Sequence, residues 1–148
     1  MNPPKQSETG SSILDCAVAL HRETGPGLLE TVYEAVLARD LEARGLRMAR
    51  QVPIPIGLRG IRFDEGFRTD LIVEDTVLVE LKSVEKVTKA HHRQVLTYLR
   101  LTGIRLGCLL DFGEALMRAG ISRIINEDIE QIPLRSRLHF LRVLCVSV

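Results

Sequence analysis

Two carboxylates and a lysine stand close together near the middle of the chain, in the runs Arg68-Thr69-Asp70-Leu71-Ile72-Val73 and Val77-Leu78-Val79-Glu80-Leu81-Lys82. Both runs are rich in β-branched and aliphatic residues and flank the polar pair Glu74-Asp75, which is the pattern of two strands joined by a hairpin. Along the second run Val77, Val79 and Leu81 face one way while Leu78, Glu80 and Lys82 face the other. Both sides carry large apolar residues, so both are expected to be covered. An ionised carboxylate in such a layer costs several kcal/mol unless it is paired or binds an ion. Two carboxylates from neighbouring strands are the hard oxygen ligands Mg²⁺ takes, with water and a phosphate completing its shell. Beside such an ion, Lys82 could orient or deprotonate a water and offset charge on a phosphorane-like transition state. The competing reading is a Glu80–Lys82 ion pair on a solvated strand, a common arrangement. The two-sided apolar pattern favours a site.

Whether Asp70 joins Glu80 depends on the hairpin loop. A three-residue loop of Val73-Glu74-Asp75 sets Asp70 opposite Leu78 and diagonal to Glu80 on the same face. A two-residue loop of Glu74-Asp75 sends it to the opposite face. A cation site requires the odd loop. Elsewhere, Glu30 and Tyr33 share a helix face, and Gly25 and Gly27 leave room for a phosphate near the helix start, although a plain helix stop and start explains them too. Gln94 and Tyr98, four apart, line a cleft or mark a core boundary. His91 and His92 are adjacent and cannot form a zinc pair on one helix face. With Arg93, Lys86 and Lys89 they make a basic rim for phosphates, or simply a solvated helix start.

The elements that must position these residues follow from periodicity. Ser12 and Asp15 have capping-box spacing and open a helix to about Glu23, ended by Gly25-Pro26-Gly27. A second helix is expected from Leu28 to about Arg44, stopped by Gly45. From Gln51 the period becomes two, and Pro53 and Pro55 delete donors along one side, which places that strand at a sheet edge. Strands over Gly66–Val73 and Thr76–Ser83 follow, then a helix from Lys89 to about Leu101 capped by Thr88 and stopped by Gly103. Ile104–Phe112 reads as a strand buried on both faces and Ile121–Ile125 as a final strand. This order implies an antiparallel meander whose third strand returns through a helical crossover to a parallel fourth. The class is α/β with a mixed four- to five-stranded sheet flanked by helices.

A chain of 148 residues allows one ordinary domain. Lys plus Arg at 20 against Asp plus Glu at 19 excludes binding to polyanions by bulk charge, so any nucleic acid must meet a local patch. The absence of Trp, with aromatics at 4%, argues against a base-stacking platform and against the sugar platforms of two-carboxylate glycoside hydrolases. Cys16, Cys108 and Cys145 are odd in number and unpaired in spacing, which fits a reducing cytoplasm. No signal peptide or membrane-spanning run is expected. Residues 1–10 read as a disordered tail, 11–126 as the domain, and 127–148 as an extension that docks on the core or on a second copy.

Asp70 followed by Glu80-Leu81-Lys82, on this order of helices and strands, resembles the PD-(D/E)XK nuclease superfamily with its restriction-endonuclease-like core. Gly27-Leu28-Leu29-Glu30-Thr31-Val32-Tyr33 resembles the signature of its GxxExxY branch. The resemblance covers roughly residues 13–126. It implies that Asp70, Glu80 and the Leu81 carbonyl hold Mg²⁺ or Mn²⁺ and that Lys82 is the catalytic lysine. It further implies that Glu30 adds an acidic group and that Gln94, with Tyr98, faces the site from the crossover helix. Tyr33, His91, Arg93 and Tyr98 are the residues expected to contact substrate. Two departures stand out: Thr69 occupies the position of the superfamily's Pro, and Asp111 stands where the branch has Asn. The implied activity is metal-dependent hydrolysis of nucleic acid, DNA ahead of RNA, with a homodimer as one way to enlarge the contact surface. A nucleic-acid-binding or assembly module that keeps the fold without turnover is the alternative, and the joint presence of Asp70, Glu80 and Lys82 favours the enzyme.

Overall fold

The computed structural model describes residues 3–127. Helices α1 (Pro3–Thr24) and α2 (Glu30–Ala43) precede β1 (Met48–Leu58), β2 (Ile61–Val73), β3 (Val77–Lys82), α3 (Lys89–Thr102), β4 (Leu106–Asp111) and β5 (Ile121–Ile125). The strands form one sheet in the order β1-β2-β3-β4-β5, antiparallel throughout except between β3 and β4. A parallel neighbour cannot be reached by a tight turn, so the chain crosses over through α3. This is the mixed α/β sheet of a restriction-endonuclease-like core.

Layering follows the apolar pattern. β3 is buried up to Leu81 and β4 along its whole length. Ile13, Ala17 and Leu20 of α1 and Tyr33, Leu37 and Leu41 of α2 pack on Leu71, Val79, Leu81, Cys108 and Leu110. The four-residue spacing of Tyr33, Leu37 and Leu41 turns one stripe of α2 to the sheet. On the other face, Val95, Tyr98 and Leu99 of α3 meet Ile72, Leu78 and Leu109. Thr88 and His91 form a capping box at the start of α3, and Gly103 ends it in the left-handed conformation (φ 72°). β1 lies at the sheet edge, where the missing N–H groups of Pro53 and Pro55 are tolerated.

Three expectations need correction. α1 begins at Pro3 rather than Ser12, so the supposed tail is helical from Pro3 on and the Ser12–Asp15 spacing falls inside a helix. Pro3 and Pro4 occupy a first turn, where absent N–H groups have no partner to lose. The Gln6 side chain donates to the Thr76 carbonyl at 2.9 Å, and Thr9 and Gly10 are buried, so the polar first turns are held by docking. Secondly, β2 begins at Ile61, not Gly66, because Arg59 and Gly60 (φ 51° and 77°) close a two-residue hairpin between Leu58 and Ile61. Both central residues need positive φ in such a turn, and arginine does not announce it as Asn or Asp would. Thirdly, Val73 pairs with Val77, so the β2–β3 loop is Glu74-Asp75-Thr76, one residue later than expected. Glu74 and Asp75 adopt positive φ (52° and 55°), and the Thr76 N–H reaches the Val73 carbonyl at 3.0 Å. The loop is still odd, and the register carries Asp70 directly opposite Glu80 instead of diagonal to it.

Among the described residues no helix is long and apolar enough to cross a membrane. Cys16 and Cys108 are buried free thiols, and burial pushes Cys108 up to about 11. The extension read over 127–148 lies, beyond Glu127, outside the described residues, as does Cys145.

Candidate active site

The β2–β3 ladder runs through Leu71–Val79 and then opens. Beyond it the carboxylates take over the hydrogen bonds. The Leu81 N–H donates to Asp70 Oδ2 at 2.8 Å, and the Asp70 N–H donates to Glu80 Oε1 at 3.0 Å. Each acid is thereby held by the partner strand's backbone, and the two side chains meet in the gap. The Phe112 N–H donates to the Lys82 carbonyl at 2.8 Å, so that carbonyl faces β4. Successive carbonyls of a strand point in opposite directions, which turns the Leu81 carbonyl toward β2 and the gap.

The electrostatics are those of two acids crowded out of water. Burial first, and then the charge of Asp70, push the Glu80 carboxyl up to about 8, while the Asp70 N–H and Lys82 pull it down. Asp70 is raised as well, by burial and then by Glu34 and Glu30, against the Leu81 N–H and Gln51. Burial and crowding thus raise both carboxyls, and a cation placed between them would relieve both. Among the described residues no three His, Cys, Asp or Glu side chains converge as a full ligand cage. Two carboxylates and a carbonyl suit Mg²⁺ all the same, since that ion keeps several waters and uses one or two protein carboxylates. Lys82, half-buried, follows Glu80 on the same side of β3 and has no ion pair among the described residues.

Glu30 reaches the same end of the sheet from the start of α2. Its Oε1 accepts from the Ser83 N–H at 3.3 Å, and the Ser83 hydroxyl donates to the Leu28 carbonyl at 2.9 Å. The helix start is thus fastened to the residue after Lys82. Tyr33 does not face substrate as expected. It is completely buried, stacks on Phe112 at 4.4 Å, donates to the Gly25 carbonyl at 2.6 Å and accepts from the Leu28 N–H at 3.2 Å. Its place is to lock the 25–28 loop that carries Glu30. Being four residues from Leu37 on the inward stripe of α2 explains its burial.

The opposite wall comes from α3. Tyr98 is buried to 8% exposure and stacks on Phe67 at 4.0 Å. Burial, and then the charges of Glu80 and Asp70, raise its hydroxyl, with Gln94 acting in opposition. Tyr98 is therefore part of the core under α3, near enough to Glu80 and Asp70 for their charges to act on it. His91 caps the helix start, its Nδ1 accepting from the Thr88 N–H at 3.1 Å, which leaves Nε2 as its donor. Arg93, Lys86 and Lys89 are exposed. Asp111 is fully buried, with Oδ1 accepting from the Val84 N–H (3.0 Å) and the Gly113 N–H (2.9 Å), so it shapes the turn after Lys82. Thr69, at the position of the superfamily's Pro, is fully buried.

Glu34 and Gln51 were not legible as site residues. Glu34, one helical turn beyond Glu30 and 5% exposed, pairs with Arg50 Nη2 at 3.0 Å. The Gln51 amide donates to Glu34 Oε1 and, at 3.3 Å, to Asp70 Oδ1. The four-residue spacing of Glu30 and Glu34 was the one available signal. A surface cleft of about 720 Å³ lies between α2 and β1 and is lined by Arg39, Arg47 and Arg50; neither Asp70 nor Glu80 borders it.

A comparison with curated proteins finds no match. The sequence profile of the PD-(D/E)XK nuclease superfamily matches residues 7–124, from the first turns of α1 into β5. With that match spanning most of the chain and Asp70, Glu80 and Lys82 gathered at one end of the sheet, the chain belongs to the PD-(D/E)XK nuclease superfamily.

Proposed function

We propose that the chain is a divalent-metal-dependent nuclease of the GxxExxY branch, hydrolysing phosphodiester bonds in nucleic acid, with DNA ahead of RNA. The observation that carries this reading is the opened ladder, where the Asp70 and Glu80 carboxyls replace backbone partners and meet near Lys82, which has no ion pair among the described residues. The branch is supported by the separate tasks of its signature residues: Gly27 adopts φ 111°, Glu30 fastens to Ser83 and Tyr33 locks the loop.

Asp70, Glu80 and the Leu81 carbonyl would hold Mg²⁺ or Mn²⁺, which supplies a lowered water pKa and neutralises phosphate charge. Lys82 is free to hold a water or a phosphate oxygen and to offset the negative charge that grows during attack. Glu30 can accept a hydrogen bond from a water approaching along β3. Gln94 and Tyr98 bound the α3 side, and Arg93, Lys86 and Lys89 offer phosphate contacts. A second copy of the chain would enlarge a contact surface whose formal net charge is only +1.

The test separates binding from turnover. Mn²⁺ titration calorimetry should give binding that is abolished in Glu80→Ala and nearly unchanged in Lys82→Ala. Cleavage of labelled single-stranded, duplex and branched DNA and RNA should fall by at least ~100-fold in Lys82→Ala. Unchanged Mn²⁺ binding in Glu80→Ala removes that residue as a ligand. A wild type that binds these substrates but cuts none above the Lys82→Ala level overturns the nuclease reading in favour of a non-catalytic module.

A further inference from the structure

The alternation of β1 and β2 changes phase beside the site. Leu71 and Val73 belong to the core under α1 and α2, whereas Phe67 belongs with Val52 and Ile54 to the core under α3. Strict alternation would keep Phe67 on the side of Leu71. The change falls between the bridged pairs Arg50–Leu71 and Val52–Thr69, at Gln51 and Asp70. Gln51 has φ 50°, a conformation that a non-glycine strand residue holds only when its surroundings fix it. Its side chain is tied at both ends of the amide's reach. Both donors of a primary amide are used, one on Glu34 Oε1 and the other on Asp70 Oδ1.

We propose that Gln51 is a positioning residue: anchored on the buried Glu34, its amide holds the Asp70 carboxylate in the opened β2–β3 gap, where it meets the Leu81 N–H and Glu80. This rests on the nuclease reading for its purpose, though its geometry stands apart from it. Glu34 is a firm anchor, being nearly inaccessible and held on its other oxygen by Arg50 at 3.0 Å. The amide also stands between two like charges. Without it Glu34 and Asp70 face each other with no donor between them, and the cheapest relief is for Asp70, the more accessible of the two, to swing out of the gap. An isosteric Gln51→Glu change is therefore the sharpest probe, since it exchanges the donor for a third carboxylate. Gln51→Gly accepts φ 50° without strain and removes the amide alone.

Two readouts test the inference. In the metal-free protein, hydrogen exchange at the Leu81 amide should speed up by at least ~10-fold in Gln51→Gly and Gln51→Glu, because that N–H donates to Asp70; a tenfold change is the scale of one modest hydrogen bond. Amides of Leu78 and Val79, inside the ladder, should keep their wild-type rates. A general loss of stability would move all of them together. With Mn²⁺ alone as probe, both variants should bind at least ~10-fold more weakly, while Glu34→Gln, which keeps an acceptor for the amide, should stay nearer wild type than Glu34→Ala. Leu81 exchange unchanged in both Gln51 variants overturns the positioning role. If the wild type binds no Mn²⁺, the nuclease reading fails and Leu81 exchange alone decides the role of Gln51. If the wild type binds Mn²⁺ and the Gln51 variants bind it equally well, the positioning role falls and the nuclease reading stands.

Discussion

Glu80 pays in stability for its place beside Asp70. Its carboxyl has an ordinary value of 4.5 and is raised to about 8 in the folded protein, so the folded state binds the proton more tightly than the unfolded chain. Stability from this group is fully present below about pH 4.5 and declines as pH rises through about 8, above which both states are ionised. Asp70 is raised by burial as well and acts in the same direction. In protein freed of divalent ions, Glu80→Gln should melt several degrees above wild type at pH 8 and close to it at pH 4.5. Thermal melts at the two pH values check this, and parallel pH dependence in both proteins would count against it. Mg²⁺ should recover stability at pH 8 in the wild type and not in the variant, because a bound cation offsets the charge of the two crowded carboxylates.

At the scale of elements, the site is assembled by seams between neighbours. The 25–28 loop is held by Tyr33, whose ring lies in the core on Phe112 and whose hydroxyl serves both ends of the loop. Tyr33→Phe keeps the stacking and leaves the Gly25 carbonyl and Leu28 N–H without their partner. The expected loss is about 1–2 kcal/mol, read as a lower urea midpoint at unchanged slope. Cleavage should fall a few-fold, since Glu30 is set by this loop, and Mn²⁺ binding should stay at the wild-type level. A variant as stable as wild type would mean that water satisfies the loop equally well. The edge position of β1 was legible from Pro53 and Pro55 because proline lacks a donor wherever it stands. The Arg59-Gly60 turn was not, since its first residue gives no local sign of positive φ.

For the whole molecule, nearly balanced charge conceals an uneven distribution. Lys82, Lys86, Lys89 and Arg93 fall within one stretch that contains a single acid, Glu85, and this stretch joins β3 to α3 beside the opened ladder. Each phosphate neutralised by such a group releases counterions, so duplex binding should weaken with salt at a slope of about −0.9 per contact. Lys86→Glu together with Lys89→Glu should weaken binding at low salt and flatten the slope by about one to two, measured by fluorescence anisotropy over a salt series. Both residues are exposed, so thermal stability should be unchanged. An unaltered slope would place the phosphates elsewhere on the surface.

The amino-acid sequence alone determined the order of helices and strands, the buried β3 and β4, the edge strand and the trio Asp70, Glu80 and Lys82. Each of these is written in periodicity, in turn residues or in a motif a few residues long, and such signals act over the distance at which neighbouring side chains and backbone groups meet. Tertiary structure decided what those signals cannot reach. The polar first turns of α1 are held by Gln6 on Thr76, 70 residues away. Glu34 and Gln51, 17 residues apart, meet only because α2 packs across the end of β1. Tyr33 lies inward through the packing of α2 on Phe112. The β2–β3 loop is odd and lies one residue later than the Val73-Glu74-Asp75 alternative, because β3 is apolar on both faces and so leaves both parity and partner to packing. That shift set Asp70 directly across from Glu80, and the opening of the ladder there turned two acidic side chains into a site.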